Sequence, residues 1–159
     1  MIKILIVDDD SIKIQDLFSI INEFSEIPKG NIDYVLEVKQ AIQKLQMNQY
    51  DLVIIDIQLP NELGSKTIDN GGIDLLKCIH SMDRIKKPSH ILGLTSHNES
   101  IEDHQSQFSD YLWALLKYDK SSNVWKEQIK NTRLSHFKNG HMGLIYNSPK
   151  NVNPNRSEA

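Results

Sequence analysis

The stretch "ILIVDDD", residues 4–10, places four apolar residues directly before three consecutive aspartates. An unbroken apolar run of this length is typical of a strand that is buried on both faces of a sheet. Neighbouring carboxylates repel one another, and they repel more strongly where the dielectric constant is low. On a surface turn, solvent offsets that repulsion. At the end of a buried strand a bound cation is the obvious alternative, so both interpretations stand until other residues converge on the same place.

Short apolar runs recur along the chain and alternate with longer stretches of helical spacing. The five predicted strands cover 2–7, 34–38, 52–55, 91–94 and 113–116. Helical periodicity follows Ser11, a candidate N-cap, and recurs over 41–45, over 73–82 and after Ser122, a second candidate cap. A helix over the polar stretch 97–107 rests on weak periodicity alone. Strands alternating with helices predict a parallel sheet and a doubly wound five-stranded α/β sandwich, with ligands bound at the carboxyl ends of the strands.

Composition and charge restrict the classes of protein. The 159 residues, 39% hydrophobic and 25% charged, suit one globular domain. The net charge of −3 argues against nucleic-acid binding by this region. A single cysteine, Cys78, excludes an internal disulfide and fits a reducing compartment. The first apolar run is too short for a signal peptide and no stretch reaches membrane-spanning length, so we expect a cytoplasmic protein.

Two regions depart from the alternating pattern. Residues 61–72, "NELGSKTIDNGG", form a long connection after the third strand, and its Gly64, Gly71 and Gly72 favour turns and mobility over a packed element. One interpretation is a surface loop without a function. The other is a flap that covers the end of the third strand and limits access to Asp56. Residues 139–159 are polar and rich in Asn, and we expect a disordered tail or linker there.

Chemically complementary side chains stand at the predicted ends of four strands. They are Asp8, Asp9 and Asp10 after the first strand, Asp56 after the third, Thr95 and Ser96 after the fourth, and Lys117 after the fifth. Because parallel strands end at one edge of the sheet, carboxylates, hydroxyls and an ammonium are expected to meet there.

In these residues the chain resembles the receiver domain of two-component response regulators, over about residues 1–138 with 61–72 as an insertion. The resemblance rests on the acid pair Asp8–Asp9, on Asp56 with Pro60 four residues later, on Thr95 followed by Ser96, and on Lys117. It implies a flavodoxin-like (βα)5 three-layer sandwich with strand order 2-1-3-4-5. It also implies that Asp56 accepts a phosphoryl group from a sensor histidine kinase or phosphotransfer protein.

The resemblance implies a metal site as well, holding Mg²⁺ or Mn²⁺. Asp9 and Asp56 would be direct ligands, Gln58 would offer its main-chain carbonyl, and Asp8 would hold a metal-bound water or join the shell. Asp10 is interpreted as a solvated flank or a helix cap.

The remaining implied roles concern the phosphoryl group and the signal. Thr95 and Lys117 would each contact a phosphoryl oxygen. Receivers assist only their own phosphotransfer and autodephosphorylation, so no further enzyme activity is expected. The signal would pass through phosphorylation-dependent binding of a partner, an output domain or a second copy of the chain.

Several positions depart from the family pattern near the fifth strand. Asp110 and Tyr111 replace the usual pair of small residues. Ala114 stands where an aromatic residue is usual, with Trp113 adjacent, and Tyr118 stands where a proline normally follows the lysine. The surface that reports phosphorylation is therefore expected to differ from that of other receivers.

Two rival functions belong to other classes. One is a receiver-like interaction module that works without phosphorylation. The other is an aspartyl-phosphate phosphatase or phosphomutase, although the haloacid dehalogenase type needs a second acid where Gln58 stands. Nucleotide hydrolysis is disfavoured because the chain has no Gly-rich phosphate loop ending in Lys-Ser/Thr. Nothing after Asn139 resembles a DNA-binding domain, so the output stays open.

Overall fold

Strands and helices alternate along the chain, as the sequence predicts. The structure is a computed structural model and describes residues 2–25, 27–62, 64, 67–68, 71–96 and 114–131. Its strands are β1 (Ile4–Val7), β2 (Ile32–Val35), β3 (Leu52–Ile55), β4 (Leu59–Pro60), β5 (Thr67–Ile68), β6 (His90–Thr95) and β7 (Ala114–Lys117). Its α-helices are α1 (Ser11–Ile21), α2 (Val38–Met47), α3 (Gly71–Ser81) and α4 (Val124–Ile129), with a 3₁₀ turn at Lys29–Asn31 before β2.

Five parallel strands form the main sheet in the order β2-β1-β3-β6-β7. Because β4 and β5 form a separate two-stranded sheet, this is the predicted flavodoxin-like order 2-1-3-4-5. The chain runs outward from β1 to β2 and then returns to the other side of β1 to form β3. This reversal is the topological switch point, where open α/β sheets bind ligands at their strand ends.

Helices cover both faces of the sheet. Alternate residues of β1 belong to two different hydrophobic clusters, Ile4 and Ile6 to one and Leu5 and Val7 to the other. The first cluster includes apolar residues of α1 and α4, and the second includes those of α2 and α3. Since both faces are buried, each apolar side chain of β1 contributes about 1.5–3 kcal/mol to folding. The three-layer sandwich is confirmed.

The second strand and the caps of two helices differ from the prediction. The second strand was expected over 34–38, but β2 covers Ile32–Val35 and Val38 begins α2. Val38 is buried on the α2 side of the core, and the Leu36 N–H donates to Gln40 Oε1 at 3.2 Å, which ends the strand. Ser11 is not the cap of α1, because Asp10 takes that position. Ser122 is not the cap of α4 either, because Asn123 takes that position, but the Ser122 hydroxyl accepts a hydrogen bond from the Val124 N–H at 3.2 Å.

Described parts of the insertion form regular structure that the sequence does not indicate. β4 and β5 pair as an antiparallel hairpin, and the Asn61 carbonyl accepts a hydrogen bond from the Lys39 N–H at the start of α2, at 3.1 Å. Gly71 and Gly72 are buried in the first turn of α3 and are not the turn residues that were predicted. Of the three glycines in this connection, only Gly64 has a positive φ, 79°, which suits a turn.

Several predictions fall outside the described residues. They concern the helix over 97–107, the positions of Asp110, Tyr111 and Trp113, and the tail 139–159. Among the helices that the structure describes, none is long and apolar enough to cross a membrane.

Gly72 brings α3 against the segment that follows β3. The Gly72 N–H donates to the Ile57 carbonyl at 2.7 Å, and a Cβ at Gly72 would overlap the Asp56 carbonyl oxygen. Only a residue without a side chain therefore allows this approach.

We predict that Gly72→Ala lowers the free energy of unfolding by about 1–3 kcal/mol, because its methyl group meets rigid backbone. Gly30→Ala is the matched control, since a Cβ at Gly30 has nothing within 4 Å. Urea denaturation of both variants measures the difference. Equal stability of the two variants would contradict the close packing.

Candidate functional site

Three carboxylates meet at the switch point. Asp8, Asp9 and Asp56 each offer an oxygen within 4.8 Å of the others. The register pairs Val7 with Ile55, so the residues that follow them, Asp8 and Asp56, emerge side by side. Asp8 is 2% exposed and Asp56 5% exposed, whereas Asp9 faces solvent. The sequence therefore placed these acids correctly at one edge of the sheet.

A buried lysine that the sequence analysis missed bridges two of these acids. Lys13 is 1% exposed, and its Nζ lies 2.8 Å from Asp8 Oδ2 and 2.9 Å from Asp56 Oδ2. The same ammonium donates to the Leu94 carbonyl at 3.4 Å. The sequence did carry a signal, because Lys13 precedes the buried Leu17 and Ile20 by one and two helical turns. The helical period therefore places it on the apolar face of α1.

The ion pairs set the electrostatics of the site. Burial raises the pKa of the Asp8 carboxyl to about 7; Lys13 opposes this rise and the Asp56 carboxylate adds to it. Burial by itself lowers the pKa of the Lys13 ammonium, but Asp8 and Asp56 outweigh burial and raise it above its ordinary value. Lys13 is therefore charged at neutral pH. It partly neutralises two carboxylates that the fold forces together.

The other oxygen of each buried carboxylate also has a donor. Asp8 Oδ1 accepts a hydrogen bond from the Asp10 N–H at 2.9 Å, and Asp56 Oδ1 accepts one from the Gln58 N–H at 3.4 Å. These contacts orient both carboxylates. They leave further acceptor capacity on each, because a carboxylate oxygen has two lone pairs. Gln58 thus lies beside the acid cluster. The predicted role of its carbonyl remains a prediction.

The donor set fits a hard divalent cation. Mg²⁺ is usually held by one or two carboxylates and keeps several waters. Asp8 and Asp56 would supply buried oxygens, and exposed Asp9 would supply one on the side that faces solvent. When bound, the cation would neutralise charge that develops on a phosphoryl group at this edge.

Asp10 is a helix cap, one of its two predicted interpretations. Its backbone is extended, with φ −91° and ψ 107°, and its Oδ1 accepts hydrogen bonds from the N–H groups of Ile12 at 2.9 Å and Lys13 at 3.2 Å. A cap of this kind stabilises a helix by about 0.5–2 kcal/mol. The third aspartate of the run therefore starts α1 and so positions Lys13.

Thr95 and Lys117 end adjacent strands and are register partners. Thr95 is fully buried, whereas the Lys117 side chain is exposed. Among the salt bridges of the described residues, none joins Lys117 to Asp56, and Lys13 contacts that carboxylate instead. The predicted contacts of Thr95 and Lys117 with a phosphoryl group remain predictions.

Tyr118 encloses the Lys13 side of the site. Its N–H donates to the Thr95 carbonyl at 2.7 Å, and its hydroxyl donates to Asp16 Oδ2 at 2.8 Å. The centroid of its ring lies 5.5 Å from Lys13 Nζ, within the range of a cation–π interaction, and 4.8 Å from that of the Trp125 ring. The residue that replaces the usual proline is thus part of the packing around the buried lysine.

Comparison with known proteins decides the family. Residues 4–112 match the model of the response regulator receiver domain. The chain belongs to the receiver family. Receiver domains are generally signalling domains and not enzymes, and they bind Mg²⁺ through acidic residues. The match ends before Lys117, and before Ala114 and Tyr118, two of the positions at which the sequence departs from the family pattern.

Curated relatives and solved structures agree with this assignment. The chain is 34% identical over 127 residues to the uncharacterized protein y4jS of Sinorhizobium fredii, covering 80% of this chain and 30% of that protein. It is 31% identical over 134 residues to the sensory transduction protein LytR of Staphylococcus haemolyticus, covering 82% of this chain and 47% of LytR. The chain therefore spans less than half the length of both relatives.

Two solved structures show the same fold at low identity. One is the CheY-like receiver domain from Methylobacillus flagellatus, with a TM-score of 0.56, 19% identity, and coverage of 81% of this chain and 98% of that chain. The other is the response regulatory domain of mrkE from Klebsiella pneumoniae, with a TM-score of 0.59 and 21% identity. The match covers 85% of this chain and 99% of that domain.

We predict that Mg²⁺ binding depends on Asp9 and not on Asp10. Asp9→Asn removes a charged ligand and should weaken Mg²⁺ binding by about tenfold or more, which corresponds to at least about 1.4 kcal/mol. Asp10→Asn is the matched control, because it removes the same charge one residue away and asparagine still caps α1. Calorimetric titration with Mg²⁺ measures both. A larger loss in Asp10→Asn would contradict this geometry.

Proposed function

We propose that this receiver accepts a phosphoryl group on Asp56 from a histidine kinase or a phosphotransfer protein. The observation that carries the proposal is the position of Asp56. It follows a central strand, is 5% exposed, and faces two further carboxylates at the switch point. Asp56 therefore combines a carboxylate nucleophile with the donor set for the cation that phosphoryl transfer needs.

The chemistry uses the carboxylate directly. An Asp56 oxygen forms a bond to phosphorus while the bond from phosphorus to the kinase imidazole nitrogen breaks, and the imidazole keeps that electron pair. No general base is required, because a carboxylate nucleophile, unlike a hydroxyl, has no proton to lose. Catalysis is then mostly positioning and charge stabilisation. We assign Asp8, Asp9 and the Gln58 carbonyl to holding Mg²⁺ or Mn²⁺.

Two further side chains complete the proposed site. The Thr95 hydroxyl would donate to a phosphoryl oxygen. Lys117 ends β7, the strand next to that of Thr95, and its side chain would turn from solvent to contact a second phosphoryl oxygen. Arginine should not replace Lys117, because a planar fork is not equivalent to a compact ammonium.

The proposed biological role is phosphorylation-dependent partner binding in a cytoplasmic phosphorelay. We assign residues 1–138 to the receiver and 139–159 to a tail or linker. Autodephosphorylation would be its only other reaction. The output would be a separate protein, a further domain or a second copy of the chain, and the relatives that exceed this chain in length leave room for a further domain.

A phosphorylation-independent interaction module is the second candidate. One observation favours it. Lys13 pairs with Asp8 and Asp56, and such a pairing would stabilise the acid cluster in a domain that is never phosphorylated. Phosphorylation of Asp56 separates the two candidates.

We predict one phosphoryl group per chain after incubation with acetyl phosphate and Mg²⁺, and none with Asp56→Asn. Intact-mass spectrometry measures the adduct. Asp10→Asn is the control, because it changes a neighbouring aspartate outside the proposed metal shell and should retain the adduct. An adduct that persists in Asp56→Asn would move the phosphoacceptor elsewhere, and a wild-type protein that forms none would favour the interaction module.

A further inference from the structure

We infer that Lys13 is an internal cation that competes with Mg²⁺ for Asp8 and Asp56. This goes beyond the general receiver function, because it concerns a lysine on α1 and not the one at the end of the fifth strand. It rests on the proposed function only for the identity of the metal. The inference starts from the two short contacts of one buried ammonium, at 2.8 Å and 2.9 Å.

The competition follows from shared atoms. Lys13 Nζ contacts the Oδ2 atoms of both Asp8 and Asp56, and the second oxygen of each carboxylate already accepts a backbone N–H. A divalent cation that uses these two buried residues must therefore approach oxygens that already have a donor. Cation and ammonium placed together on the same oxygens would also repel each other.

The charges of the site also predict competition between Lys13 and Mg²⁺. Without a metal, the Lys13 ammonium offsets part of the repulsion between two carboxylates that the fold places side by side. A bound Mg²⁺ would offset that repulsion itself. Part of the free energy of metal binding is therefore spent on breaking the two ion pairs, and the observed affinity is lower than the carboxylates alone would give.

The surroundings allow the ammonium to withdraw without losing every partner. The Leu94 carbonyl lies 3.4 Å from Nζ, and the centroid of the Tyr118 ring lies 5.5 Å away. The Tyr118 hydroxyl is held by Asp16, so its ring is fixed beside the lysine. A displaced Lys13 can therefore keep a carbonyl and an aromatic face as partners. Occupancy of the site then depends on the concentration of free Mg²⁺.

The experiment is a calorimetric titration of the wild-type chain and its variants with Mg²⁺ alone. Lys13→Met removes the ammonium and keeps an apolar stem of similar length, and it should raise Mg²⁺ affinity by about tenfold or more. Lys13→Gln is a second variant in case methionine impairs folding, which urea denaturation checks. Lys39→Met is the matched control, because it removes one positive charge from an exposed side chain and should change affinity less than about twofold.

A second readout distinguishes direct competition from a general effect of charge. In protein labelled with ¹³C and ¹⁵N, the side-chain resonances of Lys13 are assigned by their absence in Lys13→Met. They should shift as wild-type protein is saturated with Mg²⁺, because the ammonium leaves its carboxylates. The Lys39 resonances should not shift.

The opposite results overturn the inference. Equal Mg²⁺ affinity of wild type and both Lys13 variants would show that the ammonium does not compete, and so would Lys13 resonances that stay fixed at saturation. Neither result touches the proposed function, which the Asp56 adduct decides separately. A protein that forms the adduct but shows no Lys13 effect would keep the receiver function and lose only this inference.

Discussion

The structure depends on one buried group of charges, the Lys13 ammonium between Asp8 and Asp56. Two parallel strands that pair in register bring these carboxylates together, because Asp8 and Asp56 directly follow the paired residues Val7 and Ile55. An isolated pair of buried carboxylates would be costly, and removing one partner of a buried ion pair typically costs about 3–5 kcal/mol. The first helix therefore supplies the compensating charge from Lys13, a residue of its first turn. Asp10 caps that helix and so helps to fix where Lys13 lies.

Hydrogen bonds and close packing also hold the backbone around Asp56. α3 approaches the segment after β3 so closely that only a glycine fits at position 72, and the Gly72 N–H donates to the Ile57 carbonyl. On the other side, the Asp56 N–H donates to the Val7 carbonyl at 3.0 Å. Helix and sheet thus fix the same short stretch from two directions. A nucleophile fixed in this way loses little entropy when it meets a phosphoryl donor.

Much of this architecture was predictable because it depends on local patterns. The doubly apolar strands indicated a covered parallel sheet, and their ends placed Asp8, Asp9 and Asp56 together. Lys13 was missed because a lysine is normally assigned to the solvent face of a helix, although its spacing to Leu17 indicated the buried face. The prediction for Gly71 and Gly72 was wrong for a related reason. The sequence indicates that a glycine is conformationally free, but here the lack of a side chain matters, because each glycine packs against the carbonyl of a residue far away in the sequence. Tertiary contacts of that kind leave no periodic signal.

Tyr118 shows how the departures from the family pattern belong together. A proline at this position would have no N–H to donate to the Thr95 carbonyl, no hydroxyl for Asp16 and no ring beside Lys13. Each of these contacts is present, and the same ring packs on Trp125 of α4. Contact by itself does not establish coupling between two sites, which needs an element with two arrangements. Lys13 would be such an element if its ammonium had two positions, one on the Asp8 and Asp56 carboxylates and one nearer the Tyr118 ring. The charge beside the ring would then depend on whether a cation occupies the acid cluster.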